Sequence, residues 1–249
     1  MKRQSIFKKF IALLAISLAN LCFAQWKTLE PGIEYQDLAP IYLNDWSHIH
    51  VFKVNLSQHQ LKIISHQDVN VKFPAIEHYA KHVNAPLAIN GGFFDQKDQP
   101  LGLRISNFNH TNAFKNISWW GVFYVQNQKA HILSARQFST KQNIEFAIQA
   151  GPRLIVDHHI PSLRPGYAER TALCILNENE IAIIITQYFP TTLAQLAQLI
   201  KAPPLACQSA LNLDGGSSTQ FFAKFPGFFL HMPGLASVSD SIVVLPRSK

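Results

Sequence analysis

Residues 171–186 read Thr171-Ala172-Leu173-Cys174-Ile175-Leu176-Asn177-Glu178-Asn179-Glu180-Ile181-Ala182-Ile183-Ile184-Ile185-Thr186. Two runs rich in apolar and β-branched residues flank a polar turn, the pattern of a β-hairpin. The second run is almost continuously apolar, which makes it a central strand buried on both faces. Just downstream, Thr192 stands as an N-cap, and Leu193, Leu196, Ala197 and Ile200 form one helical face closed by Pro203-Pro204. Ala210 to Leu213 then gives a short strand that runs into Asp214-Gly215-Gly216-Ser217-Ser218.

Further out the same alternation repeats. His48 to Leu56 reads as a strand, Ser57 to His59 as a turn, and Leu61 and Ile63 as the return arm of a hairpin. Pro74 opens a helix with Ile76, Tyr79, Ala80 and Val83 on one face. Leu87 to Ile89 is a short strand ending in Asn90-Gly91-Gly92-Phe93-Phe94. Trp119 to Val125 and Ala130 to Leu133 form another hairpin, and Phe146 to Gln149 leads through Gly151-Pro152 into Arg153 to Val156. Phe221-Phe222 and Ile242 to Leu245 close the chain as strands. Many strands and few helices predict an α+β fold, with mixed or antiparallel sheets and a few packed helices.

The 249 residues are 47% hydrophobic and 15% charged, with 18 Phe and 4 Trp, which excludes intrinsic disorder. Residues 1–24 carry Lys2, Arg3, Lys8 and Lys9 before the apolar run Phe10 to Leu21. Cys22 and Ala24 stand at −3 and −1 of a cleavage site before Gln25. This is the pattern of a secretory signal peptide, so residues 25–249 are expected as one domain, periplasmic or secreted, with no stable membrane span. The apolar run is short for an anchor, and Leu21 is bulky where lipid attachment wants a small residue. Without the four leader cations, 18 of the 22 Lys+Arg remain against 15 Asp+Glu, a net of +3. No basic stripe forms, so nucleic acid is not expected as a partner. In an oxidising compartment Cys174 and Cys207 either pair or stay as separate buried thiols; the two readings stand equal.

Asn90-Gly91-Gly92 and Asp214-Gly215-Gly216 share one design, a polar residue and two glycines at a strand end. Such loops let backbone N–H groups approach a ligand and form an anion-binding nest, with Ser217, Ser218 and Thr219 adding hydroxyls. Arg170 at the start of a strand offers a planar fork to a phosphate or carboxylate, or forms an ion pair with Glu169. The sequence has no GxSxG, no GxxxxGK[ST] and no HExxH, so nothing in it supports a nucleophile-elbow hydrolase, a P-loop or a zinc site.

Asn90-Gly91-Gly92-Phe93-Phe94, Leu101-Gly102, Gly151-Pro152, Arg170-Thr171-Ala172 and Leu211-Asn212-Leu213-Asp214-Gly215-Gly216-Ser217-Ser218 occur in the order found in the phosphodiester glycosidase family. The chain resembles that family over about residues 85–245. The resemblance implies an α+β fold around a surface cavity lined by these motifs. It also implies cleavage of a sugar from a phosphodiester at the anomeric carbon. The chemistry then assigns Asp214 as the carboxylate facing an oxocarbenium-like centre and Arg170 as the cation for the leaving phosphate. Asn90 hydrogen-bonds sugar hydroxyls or orients Asp214, with Gly91, Gly92, Gly151, Asn212, Gly215, Gly216, Ser217 and Ser218 contacting substrate. Glu169 and Asp95 are candidate second carboxylates. No cofactor or protein metal site is implied, and a divalent cation is left open. Two departures stand out: Ala236 to Asp240 lacks an Arg that members often carry, and Ser217 replaces a third glycine. The expected function is hydrolysis of a sugar-1-phosphodiester on an envelope or exopolysaccharide-type substrate. The alternative is a non-catalytic phosphoglycan-binding protein on the same scaffold.

Overall fold

A computed structural model describes residues 25–39, 46–139 and 143–247. The signal peptide and cleavage site read from residues 1–24 lie outside the described residues. The chain begins with β1 (Lys27–Glu30), β2 (Ile33–Asp37), β3 (His48–Asn55) and β4 (His59–Ser65), followed by a helical turn α1 (His66–Val69) and helix α2 (Ile76–His82). Then come β5 (Leu87–Asn90), β6 (Arg104–Ser106), β7 (Asn109–Asn112), β8 (Gly121–Gln126), β9 (Lys129–Ser134), β10 (Ile144–Ala150) and β11 (Arg153–Ile155). The chain continues through β12 (Thr171–Ile175), β13 (Glu180–Gln187) and helix α3 (Leu193–Lys201). It ends with β14 (Ser209–Asn212), β15 (Phe221–Phe225), β16 (Phe228–Met232) and β17 (Asp240–Pro246).

Three sheets result. Sheet I runs β1-β2-β3-β13-β12-β14-β11, sheet II β7-β6-β10-β8-β9, and sheet III β16-β15-β5-β17-β4. Every strand pairing among the described residues is antiparallel. Among the described residues strands so outweigh helix that the fold is mainly β, which narrows the expectation of an α+β class with mixed or antiparallel sheets.

The 171–186 hairpin forms as its sequence indicates, with Thr171 opposite Ile185 and Ile175 opposite Ile181. β13 lies inside sheet I between β3 and β12, and its Ile181–Thr186 stretch is wholly buried. α3 opens with a reciprocal cap: Gln195 N donates to Thr192 Oγ1 (3.2 Å) and Thr192 N to Gln195 Oε1 (3.0 Å). Its apolar face packs on the outer side of β11–β14. α2 begins at Ile76, with Ala75 in the cap position and Pro74 one residue further out.

One expected hairpin does not form. β3 pairs with β2 and β13, so both its edges are taken, and β4 pairs with β17 in sheet III. The turn at 56–58 therefore carries the chain from one sheet to another. Period-2 alternation marks a strand but carries no record of its partner. Cys174 in β12 and Cys207, between α3 and β14, form a disulfide with Cα atoms 5.8 Å apart. This resolves the two readings of that pair.

Candidate active site

The ends of β5 and β14 and the start of β17 lie near one another and bring the motif loops together. Asn90 closes β5 and is wholly buried. Its Nδ2 donates to Asp214 O (2.9 Å) and Gly91 O (3.3 Å). Its Oδ1 accepts from Thr171 Oγ1 (2.7 Å) and Gln220 N (3.3 Å). Asn90 thus ties sheet III to sheet I. Buried and engaged in this way, Asn90 is placed to position the Asp214 loop, the second of the two roles expected of it. Asn212 is likewise buried, and its Nδ2 donates to Gly151 O (3.2 Å).

At Gly91, Gly92 and Gly215 the loops are close-packed, not open cradles. Gly91 N donates to Asp240 O (3.0 Å), Gly92 N to Asp240 Oδ1 (3.3 Å), Gly215 N to Asp214 Oδ1 (3.0 Å) and Gly216 N to Glu169 O (2.8 Å). All four N–H groups have protein acceptors, so none of them is left over for the expected anion nest. What the loops need is the missing side chain. A Cβ on Gly91 would overlap Asp240 Oδ1, and one on Gly215 would come within 2.7 Å of Glu169 O. Gly216 has φ +62°, where other residues are strained. Gly151 fits for the same reason: a Cβ there would stand 3.1 Å from Trp119 O. Gly151 is also buried. In the same loop Ser217 is exposed and Ser218 buried.

Asp214 is half-buried. Burial holds its carboxyl above the usual aspartate range, and the Asp240 charge adds to this. The Ser218 hydroxyl, the Gly215 N–H and Arg104 pull the other way. Arg170 is brought to the same loop, since Gly215 and Gly216 pack on the backbone of Glu169 and Arg170. Its Nε donates to Thr191 O (3.0 Å) and its Nη2 to Gly166 O. Its half-buried guanidinium is partly desolvated, which lowers its proton affinity; it remains a cation.

Neither expected second carboxylate stands free beside Asp214. Glu169 accepts from Thr186 Oγ1 (2.6 Å) and Phe189 N (3.0 Å). Asp95 is exposed and folds back on Lys97 N (2.8 Å) and Gln99 N (3.0 Å), which lowers its pKa. The carboxylate acting on Asp214 is Asp240, paired through Oδ2 to Arg104 Nε at 2.7 Å, with both side chains 1% exposed. Arg104 Nη1 also donates to Leu101 O (3.1 Å), Leu103 O (3.2 Å) and Gln149 O (3.1 Å). This pair escaped the motif reading. Its signal was a lone Arg between Leu103 and Ile105, and a lone Asp opening the apolar run Ile242 to Leu245.

A cavity of about 950 Å³ opens beside that pair, between α1 and the 97–100 loop. Arg104, Ser239 and Asp240 line it, and Asp214 does not. Among the described residues no three His, Cys, Asp or Glu side chains gather as a metal-ligand set.

The sequence model of the phosphodiester glycosidase family matches residues 83–245. The chain belongs to this family. The matched span holds every motif residue above, Arg104 and Asp240 included. Over 147 residues the chain is 32% identical to YigE of Escherichia coli (strain K12), an uncharacterised protein; the match covers 54% of this chain and 57% of YigE. The fold is similar to the zebrafish N-acetylglucosamine-1-phosphodiester alpha-N-acetylglucosaminidase catalytic domain auto-inhibited by its pro-peptide. The TM-score is 0.67 at 18% identity, covering 89% of this chain and 86% of that one. A hypothetical protein from Synechocystis gives 0.64 at 16%, covering 92% of this chain and 65% of that one. The family suggests a hydrolase acting on phosphodiester glycosidic bonds.

Proposed function

We propose that this phosphodiester glycosidase is exported and hydrolyses the bond between an anomeric carbon and phosphate in an envelope or exopolysaccharide-type sugar-1-phosphodiester. The observation that carries the reading is a partly desolvated, half-buried carboxylate, Asp214, on a loop packed against the strand end that bears Arg170. The group released from the anomeric carbon is a phosphomonoester, already a stable anion, so protonation of the leaving group matters little and charge stabilisation matters most. Arg170 supplies a fixed cation for the leaving phosphate. Asp214 faces the oxocarbenium-like centre, as nucleophile or as base for water. Either role needs the ionised form, so the rate falls on the acid side around a pKa above the usual aspartate value. Export is supported by the leader pattern of residues 1–24 and by the Cys174–Cys207 disulfide, a bond that persists in oxidising compartments.

The test is incubation of the processed protein with a panel of sugar-1-phosphodiesters, reading free sugar and phosphomonoester together. Asp214→Asn is expected to lower turnover by about a thousandfold while binding persists. Arg170→Lys is expected to raise KM and lower kcat, because the two-point grip on the phosphate is lost. A parent that binds these esters and releases no sugar is a phosphoglycan-binding protein instead. An Asp214→Asn variant with near-normal activity reduces Asp214 to a loop-shaping residue.

A further inference from the structure

The chemistry around Asp214 accounts for a carboxylate and a cation and leaves the sugar ring without a seat. Trp119 lies just before β8. Its ring is 52% exposed, while its neighbour Trp120 is 5% exposed. The two indoles meet edge to face, centroids 5.8 Å apart and planes at 89°. Phe93 completes the cluster, 6.3 Å from Trp119 and 5.2 Å from Trp120.

This cluster belongs to the motif loops on both sides. Phe93 follows Gly92 directly, and Gly91 O accepts the Asp214 N–H at 3.4 Å. On the other side, Trp119 O and Trp120 Cα stand 3.1 Å from where a Gly151 Cβ would be. Gly151 O in turn accepts the side-chain amide of Asn212, two residues before Asp214. A half-exposed indole is therefore fixed on the rim of the loops that carry the carboxylate.

We propose that Trp119, held by Trp120 and Phe93, is the platform on which the pyranose ring of the substrate stacks; this rests on the glycosidase reading above. One face of a pyranose presents C–H groups with partial positive charge, and the face of an indole is negative. Stacking removes apolar area of both from water and leaves the ring hydroxyls pointing outward to polar partners. Because Trp119 is already held by two rings, little side-chain entropy is lost when a ligand lands on it. The occupant is a neutral sugar ring. The phosphate is held separately, at Arg170.

The test uses the processed chain and two substitutions, Trp119→Ala and Trp119→Phe, each checked for an unchanged melting curve. The probes are methyl pyranosides of glucose, galactose, mannose and N-acetylglucosamine, with glycerol phosphate as the charged control. Binding is followed by saturation-transfer NMR. At least one pyranoside is expected to bind the parent with contacts concentrated on the C–H groups of one ring face. Trp119→Ala should weaken that binding about tenfold or more, Trp119→Phe should keep most of it, and glycerol phosphate should bind all three alike. Pyranoside binding unchanged in Trp119→Ala, or no pyranoside bound by the parent, overturns the platform. Hydrolysis of a sugar-1-phosphodiester with the same KM in Trp119→Ala also overturns it while sparing the glycosidase reading. A parent that stacks pyranosides on Trp119 and hydrolyses no diester keeps the platform and refutes the glycosidase reading instead.

Discussion

Asp214 carries an ionisation cost in the folded protein. Its carboxyl is pushed up chiefly by burial, so ionising it costs more in the folded state than in the unfolded chain. A group raised in this way contributes stability that is fully present below its unfolded pKa and is lost as pH rises through its folded pKa. Asn at this position keeps an acceptor for Gly215 N and never ionises. Asp214→Asn should therefore melt higher than the parent at about pH 7, with the gap closing as pH falls towards about 4. Melting curves across that range decide it: a gap that stays constant means that Asp214 carries no ionisation penalty. The same scale shows where sequence is mute. Asn90, Gly91 and Gly92 have the residue types of a ligand loop, but tertiary neighbours decide whether their polar groups stay available. Here Asp240, Asp214 O, Thr171 and Gln220 engage them. Asp214 and Arg170 stand at strand ends, where Gly215 N and Ser218 engage the carboxylate and Thr191 O and Gly166 O the guanidinium.

At the scale of elements, β6 and β17 belong to different sheets and are joined by a charge pair. Arg104 on β6 and Asp240 at the head of β17 are both buried, and Gly91 and Gly92 pack directly over them. Removing one partner leaves the other as an uncompensated buried charge, at a cost of about 3–5 kcal/mol. Asp240→Asn is expected to fall in that range, because Asn still accepts the Gly92 N–H but no longer balances Arg104. With Arg104→Met added, the loss should be smaller than the sum of the single losses by about 1–3 kcal/mol. Denaturant titration of the four proteins closes the cycle, and additive losses would show that the pair does not couple the sheets. The individual strands were legible because alternation is local. The pair was not, because its members lie 136 residues apart and each is a lone charge in an apolar setting. The same blindness to partners explains β3 and β4, which read as neighbours and belong to separate sheets.

At the scale of the whole molecule, the candidate site belongs to no single sheet. Asp214 and Arg170 follow or precede strands of sheet I, Asp240 belongs to sheet III and Gly91 follows its β5, and Arg104, Trp119 and Gly151 belong to sheet II or its ends. The sheets share one apolar core, in which Phe52, Ile183 and Leu211 of sheet I meet Phe123, Phe146 and Ile148 of sheet II and Leu87, Phe221 and Ile242 of sheet III. A core drawn from all three ties their unfolding together, since separating any one sheet exposes the inner faces of the others. The seam that holds Trp119 and Trp120 should then open only when the whole core does. With Trp26→Phe and Trp46→Phe, these two indoles become the only tryptophan reporters among the four of the sequence. Their emission and the far-UV circular dichroism of all three sheets should share one midpoint in guanidinium chloride, as a cooperative transition requires. An emission change completed at lower denaturant would mean that the site opens as a separate unit while the sheets persist. The glycine loops would then be organised by their own contacts alone, and the Asn90 and Arg104–Asp240 links between sheets would not be what holds the site in place.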